Sequence, residues 1–196
     1  MAAPYEILAA PYTVYLGPVG ETMPSVNAAV AGNWFKLGTS GDRNYDEDGV
    51  TVGHDQKTNI FRPAGSTIGR KAFREEEDFK IGFMLADISP TQYAKVLGDA
   101  AVTTVAQSTG VAGNKHFEVY QGLQVTTFAL LARGISSVDE DLSAQYEIAC
   151  VFQSASPEPV HNKGKAALLE CEFTALDSNG DGAVGTVRIQ TTVAGA

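Results

Sequence analysis

Hydrophobic and polar positions alternate with period two along much of the chain, the signature of half-buried strands. The clearest run is Glu77 to Leu85, where Phe79, Ile81, Phe83 and Leu85 share one face. In Gln145–Gln153, Tyr146, Ile148, Cys150 and Phe152 form one row, with Gln145, Glu147 and Gln153 opposite. From Ala166 to Thr174, Ala167, Leu169, Cys171 and Phe173 face away from Glu170 and Glu172. Further strands are expected at Tyr12–Leu16, Asn33–Gly38, Phe117–Tyr120, Val125–Arg133 and Val184–Gln190. Residues 39–68 are polar, rich in Gly and Asp, and weakly periodic. That predicts a long loop, either functional or an extended hairpin that orders on contact.

One helix is signalled, over residues 89–98. Ser89-Pro90-Thr91-Gln92 offers an N-cap Ser, a Pro at the first helical position and a Gln three residues after the Ser, the pattern of a capping box. Tyr93, Val96 and Leu97 then share a face, and Gly98 stops the helix. Strands this numerous with a single helix predict a mainly β fold, a two-sheet β-sandwich or barrel with one flanking helix. The 196 residues read as a single domain, with terminal arms at Met1–Pro11 and Thr191–Ala196.

Composition narrows the function. Hydrophobic residues make up 44 % of the chain, enough for a real core. No run approaches the ~18 continuous apolar residues that span a bilayer. Met1–Ala10 lacks the Lys or Arg that opens a Sec-type signal peptide, so export by that route is not expected. A net charge of −9 disfavours coating of DNA or of an anionic membrane. The two Cys sit in apolar rows, which reads as buried, reduced thiols.

Catalytic and metal-binding patterns are weak. Asp177-Ser178-Asn179-Gly180-Asp181-Gly182 imitates the start of a calcium loop, but its twelfth position is Arg188 where a bidentate Glu is needed. A hairpin turn is the simpler reading. His54-Asp55 has no accompanying nucleophile, and His116 and His161 have no partner pattern. No phosphate-binding Gly-rich loop is present. The chain reads as neither an enzyme nor a cofactor-dependent protein.

The acids, by contrast, cluster. Asp42, Asp46, Glu47 and Asp48 form one group, Glu75, Glu76, Glu77 and Asp78 a second, and Asp139, Glu140 and Asp141 a third. They read either as solvated loops that maintain solubility or as a negative surface shared between assembled copies. Arg62, Arg70, Lys71 and Arg74 flank the first two groups and could pair with them between subunits.

Several segments together resemble the tail tube proteins (major tail proteins) of long-tailed bacteriophages. They are Asn33–Gly38; Glu77–Phe83 followed by Asp87–Tyr93; Phe128–Gly134; and Ser156–Val160, Lys163-Gly164 and Leu168–Leu176. The resemblance implies a tail-tube-like sandwich or barrel, similar also to type VI secretion tube proteins. It implies rings of identical subunits, usually hexamers, stacked into a tube that DNA crosses during ejection without specific binding. Tape-measure, tail-tip and tail-terminator proteins would be partners. The site would be the virion tail, assembled in the host cytoplasm. The acids and cations named above would then be lumen or ring-interface residues. The rival reading is a β-sandwich binding module, such as a capsid-decorating or carbohydrate-binding protein.

Overall fold

In the computed structural model, residues 11–120, 122–136 and 141–193 are described. The expected arms fall largely outside them, at 1–10 and 194–196. In chain order the strands are β1 (Thr13–Gly17), β2 (Phe35–Lys36), β3 (Thr51–Phe61), β4 (Lys71–Leu85), β5 (Thr103–Val105), β6 (Asn114–His116), β7 (Thr127–Ile135), β8 (Ser143–Gln153), β9 (Leu169–Ala175) and β10 (Gly185–Ile189). A 3-10 turn covers Gly41–Asn44, and helix α1 covers Pro90–Val96. The mainly β expectation with one helix therefore holds. The two sheets are very unequal: an eight-stranded antiparallel sheet ordered β2-β1-β7-β8-β9-β4-β3, with β10 also on β8, and a two-stranded sheet β5-β6.

The large sheet is rolled. β1 and β4 are four strand spacings apart, which in a flat sheet is about 19 Å. Yet Val14 and Leu16 of β1 belong to the same buried cluster as Ile81, Phe83 and Leu85 of β4. Leu130, Ile148, Val151, Leu169, Cys171 and Phe173 complete the interior, and Val96 of α1 joins it. The connector after β2 closes the roll. Leu37 N–H donates to the Val14 carbonyl, while Asp46 N–H donates to Met84 and Ala86 N–H to Asn44, so the connector spans both ends of the sheet. Tyr45 sits at its centre. Its hydroxyl donates to the Leu37 carbonyl at 2.9 Å and accepts from Val14 N–H at 3.0 Å. Its ring lies 4.4 Å from that of Phe83. Burial pushes the phenol pKa well up, so the group stays a neutral donor.

Close packing fixes small residues. Gly134 passes under the Tyr12 ring, and a Cβ there would come within 2.7 Å of it. The only Trp, Trp34, is partly buried, lies on Gly17, and donates from Nε1 to the Thr22 carbonyl.

Four expectations need correction. Residues 39–68 are not one long loop, and the extended-hairpin alternative is the nearer: β3 lies within them and pairs with β4 over its whole length. Its residues are solvated on both sides, so no apolar row marked it. In β8, Phe128 pairs with Val151 and Leu130 with Ile148, so Ala149 and Cys150 both stand against Ala129. This bulge breaks the expected row, bringing Val151 rather than Phe152 into the core. Both thiols are nonetheless buried. The strand expected at Phe117–Tyr120 lies earlier, at Asn114–His116, because β5 sets the pairing; Phe117 instead packs its ring against Tyr93. The capping box at α1 does not form. Gln92 is buried and turned to the connector, accepting from Gly38 N–H and donating to the Lys36 carbonyl. Asp87 takes over at the helix start, accepting from Ser89 N–H and from the backbone and hydroxyl of Thr39. Partial burial would raise its pKa, but these bonds outweigh that and lower it. Leu97 ends the helix exposed.

Substituting Tyr45→Phe keeps the ring but leaves the Val14 N–H and the Leu37 carbonyl without their partner. The expected loss is about 1–3 kcal/mol of unfolding free energy, read as a lower urea midpoint at unchanged slope.

Candidate functional site

β4 is longer than the strand beside it. β9 pairs only with Lys80–Leu85, so from Asp78 outward β3 and β4 continue as a two-stranded ribbon. From Asp55↔Asp78 to Phe61↔Lys71 it projects about 20 Å. None of residues 54–78 is buried. A lone two-stranded ribbon is marginal in water, so its order depends on the root held in the sheet.

Charges are sorted along the ribbon. Near the root, Asp55 stands directly opposite Asp78, a destabilising pairing. Lys80 offsets it, its Nζ lying 3.1 Å from Asp55 and 3.9 Å from Glu172. The hydrogen bond to Asp55 leads in raising the Lys80 pKa. Further out, Lys57 meets Glu76 at 3.1 Å and Glu75 at 3.5 Å. A register shift between Lys57 and Thr58 leaves Glu75 as the extra residue of β4, where it also accepts from Asn59. Glu77 lies 2.6 Å from His54 Nε2 and also pairs with Arg74. Desolvation would raise the Glu77 pKa, but the His54 and Arg74 bonds win and lower it. The stabilisation from Glu77 is therefore present above the ordinary carboxylate pKa and lost as pH falls through the lowered value.

The tip is different. Residues 56–74 carry Lys57, Arg62, Arg70, Lys71 and Arg74 and not one acid. All 23 carboxylates lie elsewhere in the chain, against nine cations. Among the described residues, no salt bridge engages Arg62, Arg70 or Lys71; Lys71 lies over the Phe73 ring instead. Ile60, Phe61, Ile68 and Phe73 are exposed beside them, Ile68 to 74 %. The tip thus combines cationic and apolar contact groups on a projecting arm.

The sequence candidates are only partly brought together. Glu75, Glu76, Glu77, Asp78, Lys71 and Arg74 share β4, and Arg62 and Arg70 lie in the turn joining it to β3. Glu75, Glu76, Glu77 and Arg74 find their partners within the same chain. Of the first acidic group, Asp42 is structural, accepting from the Thr13 hydroxyl at 3.1 Å. Asp46 lies in the closing connector, and Glu47 and Asp48 are exposed at the turn after it. Asp141 lies at the turn between β7 and β8; Asp139 and Glu140 fall outside the described residues.

A polar cluster escaped the sequence reading. On the non-core face of β7, β8 and β10, Arg133 Nε donates to Gln145 Oε1 at 2.8 Å, and Arg188 Nε to Glu147 Oε1 at 2.6 Å. Gln145 is fully buried, donates to Glu147 and reaches the Pro24 carbonyl. Arg133 also binds the carbonyls of Ser25 and Ala28. The β1–β2 connection is thereby strapped over the sheet, burying a row that alternation alone assigns to solvent.

His54 stands beside Glu77 on the exposed ribbon, and His116 meets Asn114. The Asp177 carboxylate is occupied by the N–H groups of Asn179, Gly180 and Gly182, which makes a turn of the calcium-like segment. The bonds from Gly182 and Gly180 lead in lowering its pKa. Among the described residues no group of His, Cys, Asp and Glu could hold a metal ion, and no helix is long and apolar enough to cross a membrane. No protein-family model matches the chain, and neither does any curated protein.

The root of the ribbon makes a direct test. Lys80→Met should leave Asp55 and Asp78 face to face and speed amide exchange at both. Adding Asp78→Asn should restore slow exchange. Unchanged exchange in the single variant would remove Lys80 from its neutralising role.

Proposed function

We propose that this chain is the structural subunit of a phage tail tube, in which self-associating rings stack around a channel for DNA during genome ejection. The observation that carries the reading is the β3–β4 ribbon. It projects from a closed β core, hides nothing in its own chain, and presents apolar and cationic groups where the rest of the molecule is acidic. Such an arm contributes little to the isolated fold and much to contact with a neighbour. The sequence resemblance supplies the kind of assembly: rings, usually of six, on a rolled β fold with one flanking helix.

The charge balance fits the same role. Repeating an acidic body around a ring yields a negative wall, and such a wall keeps phosphates from adhering as DNA slides past. Screening within roughly 8 Å at physiological salt confines the effect to the wall itself. The partners are then further copies of the chain, with tape-measure, tail-tip and tail-terminator proteins at the ends of the tube.

The ribbon can be removed without touching the core, because no residue between 57 and 76 is buried. Replacing 57–76 by Asn-Gly joins Gln56 to Glu77 through a turn suited to a hairpin. Electron microscopy of the wild-type protein should reveal rings or tubes. The shortened protein should keep a cooperative unfolding transition and remain dispersed. Wild-type protein that stays monomeric at high concentration would contradict the tube reading, and normal tubes from the shortened protein would remove the ribbon from the contact.

A further inference from the structure

An arm that docks needs a receptor, and the ribbon cannot reach one at its own root. β3 and β4 stay paired from Thr51↔Gly82 to Phe61↔Lys71, which holds the tip about 26 Å from Gly53. At that root, on the side of β3, β4 and β9 that faces away from the core, lies an open groove of about 390 Å³. Its floor is bare where Gly53 and Gly82 carry no side chain. A Cβ at Gly82 would meet nothing nearer than 3.7 Å. Asp48, Asp55, Glu170 and Glu172 line the groove, with Lys80 as the one cation. Lys80 is already held by Asp55 and Glu172, so the groove keeps an excess of negative charge. Exposed Met84 adds an apolar wall.

We propose that this groove receives the ribbon tip of a second copy of the chain. The inference rests on the self-assembly reading and names its receptor. Arg62, Arg70 and Lys71 bring cations without acids to a groove with four carboxylates, and Phe61 and Ile68 bring apolar surface to Met84. Tip and groove are different surfaces, so the contact is head-to-tail. Repeated, it builds a ring or a filament rather than a closed pair. Asp48, a member of the first acidic group, and Asp55 acquire a shared role here. Glu170 and Glu172 join them through the β4–β9 register, which sets Gly82 against Glu172 and Met84 against Glu170.

Charge reversal in trans tests the docking. One variant carries Arg62→Glu, Arg70→Glu and Lys71→Glu; the other carries Asp48→Lys and Glu170→Lys, both exposed positions. Sedimentation and electron microscopy should find each alone at least about tenfold weaker in assembly than wild type, the scale of losing one close charge pair. An equimolar mixture should recover assembly, because the reversed tip of one variant then meets the reversed groove of the other, and the native tip meets the native groove, each pair of opposite sign. Gly82→Val is an independent check: its Cβ has room in the fold, its methyls extend over the floor, and it should block assembly with the charges intact. Thermal unfolding of each variant separates lost docking from lost folding, and a reversal pair that unfolds leaves Gly82→Val to decide. Wild-type assembly with no effect from either reversal or from Gly82→Val would overturn the groove alone and leave the tube reading standing. Failure of two folded reversal variants to rescue one another would also overturn the groove. Wild-type protein that never assembles would overturn both.

Discussion

Tyr45 joins the ends of the sheet, its hydroxyl bonded to Val14 and Leu37 on the β1 side and its ring set against Phe83 of β4, and the rest of the architecture follows from that closure. An eight-stranded sheet left flat would expose one whole apolar face. Rolled, it buries residues of β1, β4, β7, β8 and β9 in one cluster. The connector that closes the roll also forms a bridge between Tyr45 and Leu85, at the inner end of β4. β4 is therefore fixed at its buried end by β9, by the connector and by the core. Only a strand held so firmly can carry its outer half, with β3, into solvent as an ordered ribbon.

Electrostatics then divides the ribbon into two zones. From the root out to the level of Lys57 and Arg74, opposite charges neutralise one another within the chain: Lys80 with Asp55, Lys57 with Glu75 and Glu76, His54 and Arg74 with Glu77. Exposed pairs of this kind add little stability, but they set register and suppress pairing with the wrong neighbour. The tip has cations and no acids, so its complement must come from another surface. The same chain presents acidic surface in excess, which makes a second copy the natural complement.

How much of this was legible follows from where burial contrast exists. Residues 77–85 and the Cys171 row bury one face only, and alternation alone identifies their core sides. β3 is wet on both faces and leaves no periodic signal, so its segment read as a loop although an extended hairpin was one alternative. The bulge at Ala149-Cys150 is silent because both its residues are apolar or small. Gln92 satisfied the local rule for a capping box, but tertiary contact with Gly38 and Lys36 won. Gln145 and Glu147 looked solvent-facing, since nothing in the sequence tells that the β1–β2 connection crosses over them. The acidic clusters were visible, yet their sorting required pairing at a distance: Glu75–Glu77 are neutralised along the ribbon, while Asp48 joins Glu170 and Glu172, which are far apart from it in sequence.

The central claim is that the ribbon is an assembly arm and not a part of the monomer's stability. Amide hydrogen exchange in dilute and in assembled protein measures it most directly. The account predicts that residues 57–74 exchange fast in the monomer, where their hydrogen bonds face solvent, and become strongly protected on assembly, while β7 and β9 are slow in both states. Ribbon amides that exchange equally fast in both states would contradict it.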